Sequence, residues 1–367
     1  MITQSKLKII LITVRADFGG GPEHVYQLLK YLSADFDFYI AAPEDYPYYQ
    51  LYSKIVGNDR IIKIPHRKFR ISELLKIRRF IIDNKISIIH SHGKGAGIYS
   101  RLIGFTHKIK IIHTFHGFHI YSYNAVQRFL YLLIEKILGI VTNKFINVSN
   151  GESLQIAGYN IASDSKFVTI ENGVEMPCES KSILVQSRNP KQIISLSRFD
   201  YQKNSELLIQ VILRLKQLNL LDAFFFLILG TGVNKKSIEQ QLTTLNLNTY
   251  CKTPGPVLNT QDYLLNSFCY ISTSRWEGLP LGVLEAMAVG LPVIATNVVG
   301  NNDVIENGVD GFLYDLNNPD EAAAIIIKLY NDEELWQKIS KNAKNKVEKK
   351  YTVNRMALET KNLYLNI

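Results

Sequence analysis

Short apolar runs alternate along the chain with segments in which apolar residues recur every three or four positions. In the first half, runs at 8–14, 37–41, 86–90, 110–114 and 144–148 are rich in β-branched and aromatic residues and too short for helices, so they predict strands. The segments 23–32 and 72–82 have helical spacing, and 168–174 predicts a last strand that ends at the Asn172-Gly173 turn. A second series follows, with strands at 192–197, 224–229, 270–272 and 292–295 and helices at 204–218, 234–245 and 281–289. Near-continuous apolar strands separated by amphipathic helices predict an α/β fold with parallel sheets covered on both faces.

Between these series, residues 175–190 hold two prolines and no period, as an interdomain connection does. With 367 residues, two domains are expected, 1–180 and 181–350, followed by a terminal helix over 351–367. Two doubly wound domains facing a cleft would take ligands at the carboxyl ends of their strands.

Composition narrows the class. Hydrophobic residues are 46% and charged residues 20%, which excludes a disordered or collagen-like chain. The apolar run after Lys8 is too short for a signal peptide, and 129–140 is interrupted by Glu135 and Lys136, so the protein is expected to be soluble or peripheral, in the cytoplasm. Cys178, Cys251 and Cys269 have no metal-ligand spacing and fit free thiols in a reducing compartment. Net charge is +9, and 13 basic residues between 60 and 110 face only Glu73 and Asp83. Such a cluster suits nucleic acid, anionic lipid or a phosphorylated substrate, or is a solvated face.

Five features carry candidate chemistry. The glycine loop at 19–21 follows the first strand and opens a helix. It either lets backbone N–H groups approach a phosphate or is a plain strand-to-helix turn, and Pro22 is expected at the helix start. Histidines gather at strand ends: His90 and His92, then His113, His116 and His119. With no carboxylate or cysteine close in sequence, they suit hydrogen bonding, or structural capping, better than a metal. Arg198 and Lys203 flank the loop after a strand and can bracket a diphosphate, unless they are ordinary surface cations. Gly230 and Gly232 form a turn able to admit a ligand. In the stretch from Ser274 to Ala288, Glu277 lies in a loop and Glu285 in the first turns of a helix, so two carboxylates can engage different parts of one long ligand, with the amides of Leu281 and Gly282 available to an anion. Glu285 also has a dipole role near a helix N-terminus, which does not account for Glu277.

Assembled, these residues resemble family 4 retaining glycosyltransferases of the GT-B fold, in the branch that builds bacterial surface polysaccharides. The likeness runs through the glycine loop, His113 to Gly117, Glu171-Asn172-Gly173-Val174, Arg198 with Lys203, Gly230 with Gly232, Glu277 to Glu285, and 290–296. It implies two Rossmann-like domains facing a central cleft, with the helix at 353–365 crossing back to the first. It further implies that Arg198 and Lys203 hold the donor diphosphate, with Gly232, Leu281 and Gly282 beside it, and that Glu285 holds the ribose. Glu277 and His116 would serve the donor sugar, and Gly20 and Gly21 the diphosphate and acceptor hydroxyl. Pro280 lacks an N–H, so phosphate contacts must come from later amides. The expected partners are a UDP- or GDP-linked sugar and a polyprenyl-diphosphate-linked saccharide in O-antigen, capsule or exopolysaccharide synthesis, with no metal, no other cofactor and no nucleic acid.

In that context the basic cluster suits the inner face of an anionic membrane. Arg67, Lys68, Arg70, Lys76, Arg78 and Arg79, with Ile71, Leu74, Leu75 and Ile77, would form the docking surface. Asp35-Phe36-Asp37 superficially fits the D-x-D metal motif of another transferase architecture but lies in a turn. A nucleotide-sugar 2-epimerase and a non-catalytic subunit are the alternatives, and the intact Glu277, Glu285, Arg198 and Lys203 favour transfer over both.

Overall fold

The computed structural model describes residues 6–118, 120, 123–177 and 190–367. Much of the expected interdomain connection, Cys178 and His119 therefore lie outside the described residues. In chain order the elements are β1 (Lys8–Thr13), α1 (Gly20–Leu32), β2 (Asp37–Ala42), α2 (Tyr48–Val56), β3 (Ile61–Lys63), α3 (Ile71–Asp83), β4 (Ile88–His92), α4 (Lys94–Thr106), β5 (Lys110–Thr114), α5 (Ala125–Gly139), β6 (Lys144–Asn147), α6 (Asn150–Ala157) and β7 (Phe167–Thr169). There follow β8 (Lys191–Leu196), α7 (Ser205–Gln217), β9 (Phe224–Leu229), α8 (Lys235–Thr244), β10 (Cys251–Gly255), α9 (Thr260–Leu265), β11 (Cys269–Ser272), α10 (Leu281–Ala288), β12 (Val293–Thr296), α11 (Asn301–Val304), β13 (Phe312–Tyr314), α12 (Pro319–Asn331), α13 (Glu333–Lys350) and α14 (Val353–Leu365).

The chain divides into two compact units, residues 1–172 with 353–367, and residues 173–352. In the first, a parallel seven-stranded sheet runs β3-β2-β1-β4-β5-β6-β7. The order in which strands are added reverses across it between β1 and β4, which pair from Ile9–Ile88 to Thr13–His92. One face is covered by α1, α2 and α14, with Val25, Leu28, Tyr52, Met356 and Tyr364 in its core. The other face carries α3 and α4 over Ile10, Ile12, Ile77, Ile81 and Tyr99, and α4 packs between α3 and α5. The second unit has a six-stranded parallel sheet, β10-β9-β8-β11-β12-β13, which reverses between β8 and β11.

Several boundaries differ from the sequence expectation. The strand expected at 86–90 runs Ile88–His92, because it pairs along the whole of β1, and this carries His92 into the sheet. The strand expected over 168–174 is only Phe167–Thr169, since the side chains of Glu171 and Asn172 turn inward and the backbone leaves the ladder. Helix α1 begins at Gly20, two residues before Pro22. Helix α4 has no strong helical signature because Gly95, Gly97 and Gly104 dilute it. They are there for close packing: a Cβ on Gly97 would lie 2.5 Å from His113 Cε1, and one on Gly104 2.3 Å from Ile111 Cδ1. Asp35, in the turn, pairs with Lys361, and Asp37, which opens β2, pairs with Arg60.

Arg101 on α4 is the largest fully buried side chain, and Glu135 on α5 meets it through two bonds of 2.5 and 3.3 Å. Removing one member strands the other in a low-dielectric interior. Glu135→Ala is therefore expected to lower stability by about 3–5 kcal/mol, and adding Arg101→Met to Glu135→Leu to restore most of it. Urea midpoints of the three proteins check this.

Candidate functional site

Each unit presents a cluster of polar side chains where the order of its strands reverses. In the first unit, the loop after β1 is shaped by Arg15, which binds Asp17 through 2.7 and 2.9 Å bonds and donates to the Phe18 carbonyl. Gly20 and Gly21 then form the first residues of α1, and a Cβ on Gly21 would meet nothing within 4 Å. The N–H groups of this first turn have no partner within the helix.

One turn further, His24 enters a buried histidine cluster. Its Nδ1 lies 3.0 Å from Asn172 Oδ1. From the ends of β4 and β5 come His92 and His116, whose Nδ1 and Nε2 lie 3.1 Å apart. His90 sits behind them, between Tyr364 Oη at 2.6 Å and Thr114 Oγ1 at 2.8 Å, with its ring tilted 38° to that of His92 and the centroids 4.1 Å apart. His113 pairs with Ser91. Burial, which penalises the charged ring, lowers the His24 pKa to about 4 and holds those of His90, His92, His113 and His116 well below the ordinary value. The cluster is therefore neutral at pH 7, and each ring can offer one donor and one acceptor. One ring nitrogen from each of His24, His92 and His116 lies within 4.8 Å of the others. That convergence is spatial, and His24 has no neighbouring histidine in sequence to announce it.

His116 has φ 56°, the left-handed region that a non-glycine residue enters only when held there. Glu152 does the holding. Its carboxylate is buried and accepts from the Gly117 N–H at 2.6 Å and the Val148 N–H at 2.7 Å. Sequence reading passed over Glu152, whose only local signal is its place three residues after the helix cap Ser149.

In the second unit, two loops leaving adjacent strands are stitched together. Arg198, after β8, is bound by Asp200 at 2.7 Å and Gln202 at 2.9 Å. Gln202 donates to the Trp276 carbonyl at 3.0 Å, Thr273 donates to that of Lys203 at 2.8 Å, and Arg275 N–H donates to that of Gln202. At the centre, Lys203 Nζ lies 2.5 Å from Glu277 Oε1, which also accepts from Ser274 Oγ at 2.6 Å. The two cations expected to stand open to a diphosphate thus already hold carboxylates. Arg198 has five N–H donors, of which these bonds use two.

Glu285 points from α10 and accepts from Thr260 Oγ1 at 2.8 Å. Pro280 caps α10, so its first amides are those of Leu281 and Gly282, and Gly282 packs against the Tyr270 hydroxyl. Gly232 has a packing reason for its size, since a Cβ there would fall 2.4 Å from the Phe199 carbonyl oxygen. Gly300 presses in the same way on Glu277. Among the described cysteines, Cys251 and Cys269 are buried, and burial pushes the Cys251 thiol up to about 12.

The docking residues divide. Arg67, Lys68, Arg70, Lys76 and Arg79 are exposed, although Lys76 and Arg79 pair with Glu73 and Asp83. Arg78 is half-buried and donates to the Thr106 carbonyl. Ile77 does not belong to that surface: it is fully buried on the sheet, and Leu74 packs beside it. The helix turns Ile71 and Leu75 outward instead.

Residues 18–176 match the family described as Glycosyltransferase Family 4, and 179–346 match Glycosyl transferases group 1. The chain belongs to glycosyltransferase family 4. This family 4 enzyme is 27% identical over 310 residues to the Escherichia coli UDP-Gal:alpha-D-GlcNAc-diphosphoundecaprenol alpha-1,3-galactosyltransferase, covering 80% of this chain and 79% of that one. It is 23% identical over 337 residues to the E. coli O-antigen biosynthesis glycosyltransferase WbnH, covering 91% and 94%. Among solved structures, Anabaena HepE in complex with UDP and glucose superposes with a TM-score of 0.85 at 17% identity, covering 98% of this chain and all of that one. The family 4 enzyme therefore has the two-domain GT-B fold.

The neutral histidines carry a pH signature. Their folded pKa values lie below the unfolded value near 6.5, so the unfolded state binds more protons as pH falls. Their contribution to stability is complete above about pH 6.5 and lost progressively toward pH 4. The thermal midpoint is expected to fall between pH 7 and 5 at constant ionic strength, and less so in His24→Asn, as scanning fluorimetry would read.

Proposed function

We propose that this family 4 enzyme is a retaining, metal-independent transferase. It moves a hexosyl or N-acetylhexosaminyl group from a UDP- or GDP-linked sugar to a polyprenyl-diphosphate-linked saccharide in bacterial O-antigen, capsule or exopolysaccharide synthesis. The observation that most supports this is the Lys203–Glu277 pair, set beside Arg198 where the strand order of the second sheet reverses. Open parallel sheets take nucleotides at that place. The two E. coli relatives, one acting on a diphosphoundecaprenol-linked GlcNAc and one in O-antigen biosynthesis, support the acceptor class and the pathway.

On this reading Arg198 and Lys203 neutralise the diphosphate as it leaves, which is where negative charge accumulates when the bond to the sugar breaks. Glu285 holds the ribose hydroxyls, and the amides of Leu281 and Gly282 hold phosphate oxygens. Glu277, shared between Lys203 and the donor sugar, orients the sugar and stabilises positive charge at its reacting carbon. His116, neutral and held in place by Glu152, hydrogen-bonds the sugar, while Gly20 and Gly21 leave room for the diphosphate and the attacking hydroxyl. The acceptor oxygen attacks from the face the diphosphate leaves, and a phosphate oxygen takes its proton, so configuration is retained. The enzyme works at the cytoplasmic face of the inner membrane, where its basic cluster meets anionic headgroups.

Glu277→Gln and Lys203→Ala are each expected to reduce transfer by at least ~100-fold with the fold intact. Lys203→Ala should also weaken UDP or GDP binding, whereas Glu277→Gln should leave it nearly unchanged. Radiolabelled transfer, calorimetry with the nucleotide and circular dichroism separate these effects. Near-normal turnover in both variants would refute the assignment, and isomerisation of the sugar without acceptor would favour an epimerase.

A further inference from the structure

Helix α5 is amphipathic in the reverse of the usual sense. A surface helix normally buries its apolar stripe and exposes its charges. Here the buried positions are Glu135, Leu138 and Gly139, with Tyr131 and Leu132 half-buried. The outward positions are Val126, Phe129, Leu130, Leu133, Ile134 and Ile137, each between 43% and 68% exposed. Their spacing of three and four places them on one continuous stripe.

Three contacts fix this rotation. Glu135 is pinned to the buried Arg101. Tyr131 lies beneath the Lys94 ammonium, 4.3 Å from its ring centre. The helix end is pressed so close to the next segment that a Cβ on Gly139 would lie 2.8 Å from the Ile161 carbonyl oxygen. Turning the stripe inward would break a buried ion pair, so exposure of these side chains is built into the core. An apolar patch of this size on a water-soluble surface needs a partner.

Charge identifies the partner. The exposed charged residues of α5 are Arg128 and Lys136, both basic. Across α4 lies α3, preceded by the exposed Arg67, Lys68 and Arg70, with Ile71 and Leu75 also turned outward. Phe105, at the end of α4, is 48% exposed between them. An apolar helix flanked by cations matches the boundary of an anionic bilayer, where acyl chains accept the first and headgroups the second. A second copy of this chain would bring the same positive charge to meet it. The 15 residues of α5 span about 22 Å, too short to cross a bilayer but suited to lying in its plane.

We infer that α5 is an in-plane membrane-insertion helix, and that the enzyme docks on anionic lipid by burying the outward stripe of α5 while the basic residues around α3 rest on the headgroups. This deepens the reading of a peripheral enzyme given above and relocates the main contact from α3 to α5. It is tested without donor or acceptor, so it can fail while the transferase assignment stands.

The full chain is sedimented with vesicles of phosphatidylcholine alone and with about one-third phosphatidylglycerol. The wild type should partition to the anionic vesicles. The combined variant Phe129→Gln, Leu133→Gln and Ile137→Gln, which keeps good helix formers on an exposed face, should partition at least ~10-fold less at both low and high salt. Lys68→Gln with Arg70→Gln should lose binding mainly at low salt. As a control independent of that triple change, Phe129→Trp fluorescence should be quenched by vesicles with brominated acyl chains. Wild-type partition in the triple variant, no partition of the wild type, or absence of quenching would each overturn the inference. So would a wild-type dimer, seen by light scattering, that the triple variant dissolves while its vesicle binding is unchanged.

Discussion

In a parallel sheet every strand ends at the same edge, and every loop that can carry chemistry leaves from there. Where successive connections cross to opposite sides, two such loops diverge and leave a crevice. The first sheet does this between β1 and β4 and the second between β8 and β11. Nearly all the polar residues discussed above follow from that topology. Gly20, His24, His92 and His116 surround the first reversal, and Arg198, Lys203 and Glu277 surround the second.

The two sites answer burial differently. The first concentrates imidazoles and keeps them uncharged, with Asn172 facing His24 and Glu152 holding the backbone next to His116. The second keeps its charges and pairs them, cation to carboxylate, across two loops. Glu277 is only 8% exposed, so its charge depends on Lys203, and removing either would leave the other poorly compensated.

The strand series, the helix at α10 and the separation of the chain into two α/β halves were legible because apolar runs and helical periods are local signals. The histidine cluster was only half legible. His92 and His116 sit near strand ends in sequence, but His24 joins them through sheet order, which periodicity does not encode. Glu277 was readable as a loop carboxylate, but its bond to Lys203 was not, since 74 residues separate them. The apolar content of 129–140 was plain from sequence. Which side of that helix faces outward depends on Arg101, a residue on another helix, and so was not legible in the helix's own sequence.

Helix α14 packs against α1, and its Tyr364 touches Phe36, Phe38 and His90. The first unit is thus assembled from two stretches that a whole second unit separates. During synthesis, residues 1–172 emerge and wait without the last of the three helices on one face of their sheet while about 180 more residues are made. The histidine cluster acquires its last wall only when Tyr364 arrives, so a chain that stops short of α14 carries an unfinished site.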